Sequence, residues 1–110
     1  MWKCNLGKLG NFTEDNVSSR IPSGYINYLS TKEFTEDTIP DSLLKRHNTK
    51  NGSWGKIVIL EGELIYRILE PVEREMILSP DRPGIVEPQI YHKLITCGPV
   101  RFRIDFFKNV

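Results

Sequence analysis

From Tyr25 onward the chain is a succession of short apolar or alternating runs, each closed by residues suited to a turn, and that pattern points to strands. The runs cover 25–29, 56–60, 63–69, 74–78, 84–87, 91–96 and 100–107. Between them stand Asn51-Gly52, Glu61-Gly62, Ser79-Pro80-Asp81-Arg82-Pro83-Gly84 and Cys97-Gly98-Pro99, which supply a positive φ or fix φ at a turn value. Seven strands with frequent turns predict an all-β fold, a sandwich or barrel. Only Asp41 to Arg46, with Asp41 as N-cap, has the make-up of a helical turn.

Alternation predicts which faces are buried. Val100, Phe102, Ile104 and Phe106 share one side of the last run, while Arg101, Arg103 and Asp105 share the other, so Asp105 is expected to face water. Ile57-Val58-Ile59-Leu60 is continuously apolar, as in a strand covered on both sides or lying at a dimer contact. Counting by two from His92 reaches Ile90, Leu94 and Thr96, which aims its imidazole inward.

A chain of 110 residues supports one core. Residues 1–24 mix Gly, Asn, Ser and charges with isolated apolar residues and read as an N-terminal arm, anchored by Trp2, over a domain at 25–110. A net charge of +1, from 15 basic and 14 acidic residues spread along the chain, offers no stripe for phosphates and argues against nucleic-acid binding. No apolar stretch is long enough to span a membrane or to act as a signal peptide. Cys4 and Cys97, at opposite ends of the chain, lack the spacing of a zinc knuckle or redox pair, so a cytoplasmic chain with free thiols is expected.

Chemistry has few carriers. Neither cysteine nor Ser53 sits in a recognisable nucleophile turn, and Gly52-Ser53-Trp54-Gly55-Lys56 lacks the spacing and following helix of a phosphate loop, so no catalytic residue is assigned. His47 and His92, with Glu87, form the one constellation suited to a first shell for Zn, Ni, Mn or Fe, since imidazole nitrogens and a carboxylate leave positions open for water or substrate. The plainer alternative makes His47 a loop residue, His92 a buried ring bonded to backbone, and Glu87 a solvated residue before Pro88. Trp54 is a candidate to stack on a ligand, against a default role in closing the core.

The segments 43–56 (Leu43-Leu44-Lys45-Arg46-His47-Asn48-Thr49-Lys50-Asn51-Gly52-Ser53-Trp54-Gly55-Lys56), 58–64, 86–92 and 104–107 together resemble the TehB/YeaR-like domain of tellurite-resistance proteins, over roughly residues 25–108. That resemblance implies a small cupin-like jelly-roll barrel, a double-stranded β-sandwich. His47-Asn48-Thr49 stands where a cupin His-x-His would be, which makes Thr49 a ligand-binding candidate, and Pro88 to His92 resembles the second cupin motif. Longer TehB proteins continue into an S-adenosylmethionine-dependent methyltransferase domain thought to act on tellurite, whereas this sequence has no glycine-rich strand-to-helix turn.

The expectation is therefore a stand-alone stress-response module that binds a metal, an oxyanion or a small molecule in its barrel, without established turnover, and so leans away from an enzyme. A small metal-dependent dioxygenase or isomerase using His47, His92 and Glu87 is one alternative. A non-catalytic interaction domain, pairing as a homodimer that buries Trp2 and an apolar strand, is another.

Overall fold

The computed structural model describes residues 20–109; the expected arm up to residue 19, Trp2 included, lies outside them. Six strands are described: β1 (Tyr25–Ser30), β2 (Phe34–Thr35), β3 (Ser53–Ile68), β4 (Arg74–Leu78), β5 (Gly84–Val86) and β6 (His92–Asn109). A 3-10 helix, Asp41–Leu44, precedes β3, with Pro40 rather than Asp41 at the N-cap.

These strands form one antiparallel sheet in the order β1-β6-β3-β4, with β2 beside β6 and β5 beside β3. The path ends at β1 and at β4, so the sheet is open. The expected β-rich architecture is present, but the cupin-like jelly-roll barrel and two-sheet sandwich are not.

The physical reason lies in two turn signals. Glu61-Gly62 and Cys97-Gly98-Pro99 were expected to end strands; instead they face each other within the β3/β6 ladder, where Gly62 lies opposite Val100. The register shifts between Ile59 and Glu61 and again between Gly62 and Leu64, as at β-bulges, and Gly62 takes φ 82. Each bulged strand bends and continues. Four expected runs thus become two long strands of 16 and 18 residues, which gives one bent sheet rather than two stacked ones. Cys97, within this bend, is disulfide-bonded, which corrects the expected free thiol.

Across the bulge the buried face of β3 changes phase. Ser53, Ile57 and Ile59 are buried before it, Leu64 and Tyr66 after it, while Val58 and Leu60 remain half-buried. The continuous apolar run at 57–60 therefore belongs to a strand with one buried face. The core joins these residues to Phe34, Ile39, Met76, Leu78, Val86, Leu94, Val100, Phe102 and Ile104, with Leu43 and Leu44 of the 3-10 helix packed on it. Burying each such side chain contributes roughly 1.5–3 kcal/mol. The alternation read in the last strand holds on the core side, but Asp105 does not face water freely: its side chain is 14% exposed and accepts a 3.0 Å bond from Arg103.

Candidate functional site

The segment after the 3-10 helix runs back across the start of β6. His47 and His92 exchange two backbone hydrogen bonds, His47 N to His92 O at 3.0 Å and His92 N to His47 O at 2.8 Å. Residues directly opposite in an antiparallel pair project to the same side, so both imidazoles meet on one face. Their ring centres lie 4.2 Å apart at an interplanar angle of 65°, and the Tyr66 ring stands behind His92 at 5.6 Å. On the neighbouring residues the Arg46 guanidinium lies 3.7 Å over the Tyr91 ring and pairs with Glu70 at 2.8 Å. Gln89, at φ 61, donates its N–H to Thr49 O at 2.7 Å, which ties the loop before β6 to the loop before β3.

Each ring has its tautomer set by backbone. His47 Nδ1 stands 2.8 Å from Lys45 O and His92 Nδ1 stands 2.7 Å from Ile90 O. A carbonyl oxygen only accepts, so Nδ1 carries the hydrogen and, in the neutral ring, Nε2 keeps its lone pair. His92 is 4% exposed. Burial pushes its pKa down to about 4; the bond to Ile90 offsets this in part and nearby His47 adds to it. Its ring is uncharged at neutral pH.

The two rings line a cavity of about 420 Å³. Its walls are mainly apolar, from Leu29, Leu43, Ile57, Val86, Leu94, Ile104 and Phe106, with Asn48, Thr49 and Lys50 at the loop side and Tyr28 and Ser53 beyond. Tyr28 Oη and Ser53 Oγ bond at 2.9 Å. Ser53 is 2% exposed, so Tyr28→Phe, which strands that hydroxyl, is expected to cost about 1 kcal/mol in urea denaturation. An unchanged midpoint would remove Tyr28 from the site's architecture. A larger depression of about 750 Å³ lies at the strand bend, but it contains no imidazole, and its Arg101 is held by Glu33 at 3.0 Å and Glu61 at 3.1 Å.

The sequence-predicted residues thus divide. His47, His92 and Thr49 come together at one cavity. Glu87 lines a separate depression with Tyr66 and Arg74, and among the described residues no three His, Cys, Asp or Glu stand together as ligands for an ion. Trp54 lies on the opposite side of β3 from Ser53 and Gly55, with its ring 6.4 Å from Tyr25, edge to face, and does not line the cavity. Tyr28 and Ser53 were missed. Alternation back from Ile57 through Gly55 would have placed Ser53 on the buried face, but nothing local pairs it with a tyrosine 25 residues away.

The TehB-like domain family matches residues 29–104. Two Haemophilus influenzae proteins, each named "Probable S-adenosyl-L-methionine-dependent methyltransferase TehB", are 37% and 36% identical over 73 residues, which is 63% of this chain and 26% of each of them. The chain thus spans about a quarter of these relatives. The crystal structure of TehB from H. influenzae aligns with TM-score 0.74 and 29% identity over 79% of this chain and 32% of that one. An Escherichia coli K12 protein aligns with TM-score 0.75 over 84% of this chain and 98% of its own, at 23% identity, a likeness of fold alone.

These findings correct two expectations. The shared segment is part of proteins named as methyltransferases, so a module set apart from methyl transfer is not what the likeness describes, and the leaning away from an enzyme falls with it. With the family match covering most of its length, the chain belongs to the TehB-like domain family.

Proposed function

We propose that this chain serves S-adenosylmethionine-dependent methyl transfer by holding the methyl acceptor in the cavity at His47 and His92. The observation that carries the reading is the pair of imidazoles lining one apolar-walled cavity, each with Nδ1 held by a backbone carbonyl, inside the segment matched by the TehB-like domain family. A methyl acceptor needs a lone pair on its heteroatom; one that also carries a hydrogen there, X–H, releases that proton to bulk water once the methyl is gained. Nε2 of His92 accepts a hydrogen bond from that hydrogen, and the apolar walls exclude water that would compete for it. With a pKa near 4, His92 is too weak a base to take the proton at neutral pH, so its role is to orient the acceptor.

The described residues do not fit the methyl donor: they include no glycine-rich strand-to-helix turn and only a four-residue 3-10 helix, so no residue here is assigned to it. The test is a TehB carrying residues 29–104 of this chain in place of its matching segment. His92→Phe in that protein is expected to raise the KM for the acceptor at least tenfold and leave the KM for the donor unchanged. Equal acceptor KM values with and without the imidazole would sink the reading.

A further inference from the structure

The face of the sheet turned away from the core is more deeply covered than its described neighbours account for. In β3, β4 and β6, Leu64, Tyr66, Met76, Leu78 and Leu94 point into the core. The residues alternating with them point the other way and stand in two rows across the three strands: Ile77, Ile65 and Ile95, then Glu75, Arg67 and Lys93. Among the described elements the 3-10 helix packs on the sheet rather than pairing within it, and its Leu43 and Leu44 lie on the core side. Ile65 is nevertheless only 7% exposed, and Glu75, on the outer strand β4, only 1%.

Two features of that face require a partner. Glu75 takes a 2.9 Å bond from Arg67 through Oε2, while its Oε1 is buried without a hydrogen-bond partner among the described residues. A buried acceptor in that state is costly unless a donor reaches it. Cys97 follows Ile95 by two residues, where β6 bends, with Sγ 4.0 Å from Glu63 O, and it is disulfide-bonded. The sequence has one other cysteine, Cys4.

We propose that this face is the docking surface for the chain's own residues 1–19, clasped there by a disulfide between Cys4 and Cys97. The segment has the matching chemistry: Trp2, Leu6 and Leu9 for the isoleucine row, and Lys3 and Lys8, on either side of Cys4, as donors for Glu75. It also has the reach. The stretch from Cys4 to Arg20 spans roughly 50 Å when extended, more than the 42 Å longest dimension of the molecule. Left bare, three isoleucines side by side on a flat sheet form an apolar patch of the kind that draws a partner, so the clasp closes this surface. The inference is independent of the cavity at His47 and His92.

The test uses the full chain, purified without reductant. Proteolysis under non-reducing conditions should yield the Cys4 peptide linked to the Cys97 peptide. In methyl-labelled protein the Ile65, Ile77 and Ile95 δ1 methyls should show cross-peaks to protons of residues 1–19 and weak relaxation by a soluble gadolinium chelate. An added phosphine reductant is oxidised as the S–S bond takes up two electrons and two protons to give two thiols, and that relaxation should then rise at least threefold. Cys4→Ser should do the same, while the Ile57 and Ile104 methyls of the core stay as they were and report an intact fold. A link between the Cys97 residues of two copies, or free thiols in the unreduced protein, would overturn the proposal. So would absent cross-peaks from the three methyls to residues 1–19, or cross-peaks only to a second copy in a mixed-label sample. Relaxation unchanged by both reduction and Cys4→Ser would overturn the role of the disulfide as the clasp.

Discussion

Gly62→Ala is expected to destabilise the chain by about 3 kcal/mol or more, a large fraction of the roughly 5–15 kcal/mol that holds a small domain folded. Two effects add. Gly62 has φ 82, a conformation that costs an alanine roughly 1–2 kcal/mol. A Cβ there would also collide with the Pro99 carbonyl oxygen and come within 3.0 Å of Val100 Cα, both backbone atoms of the facing strand. Backbone in the β3/β6 ladder cannot swing aside as a side-chain tip can, so the bend must open or the ladder must break. Gly52→Ala separates the terms: φ is 84, yet a Cβ there meets nothing within 4 Å. It should cost only about 1 kcal/mol. Chemical denaturation of both variants decides the matter, and equal losses would show that the close approach at Pro99 is not what requires glycine.

Acidification from about pH 8 to about pH 5 should remove about 2 kcal/mol of stability through His92 alone, rising to about 3 kcal/mol below pH 4. The ring takes its proton near the ordinary value of 6.5 when unfolded but only at about 4 when folded. Between those values the unfolded state binds more protons, so stability rises with pH across that window and is lost as pH falls through it; below 4 both states are protonated and the loss stops growing. The facing groups are His47 across the backbone bridge, the Tyr66 ring, and Lys50 at the loop side of the cavity. The Glu36 carboxyl is held below its ordinary value by the bond from Val100 N, and Asp105, against the effect of its burial, is held below its own by Arg103; both are present in wild type and variant alike. His92→Gln removes the ionisable ring, so its denaturation midpoint should depend much less on pH between 4 and 6.5. A wild-type slope identical to that of the variant would mean that the buried ring titrates as it does in water.

At the site, only what depends on neighbouring residues could be read ahead of the structure. His92 faces inward because period-two alternation with Leu94 fixes its side of the strand, and that is a local property. His47 sits in a polar loop with no periodicity, so its meeting with His92 depends on a backbone bridge between residues 45 apart, which no local rule supplies. Glu87 and Trp54 were plausible ligand residues by type and spacing; strand register sends one into another depression and the other to the opposite face. Without Glu87 the site brings two imidazoles together, and among the described residues no third His, Cys, Asp or Glu joins them.

What the sequence determined by itself is local: strands where apolar residues alternate, a turn at Asn51-Gly52, the buried side of His92 and of Val100, Phe102 and Ile104. Side-chain period and turn chemistry act within a few residues, so they survive any tertiary arrangement. Tertiary structure alone decided that Glu61-Gly62 and Cys97-Gly98-Pro99 bend strands instead of ending them, because a glycine at positive φ serves a turn or a bulge equally well until a partner strand is paired across it. It also decided that the sheet stays open and that two distant imidazoles share one cavity, since both depend on strand order and register, which are set by long-range pairing.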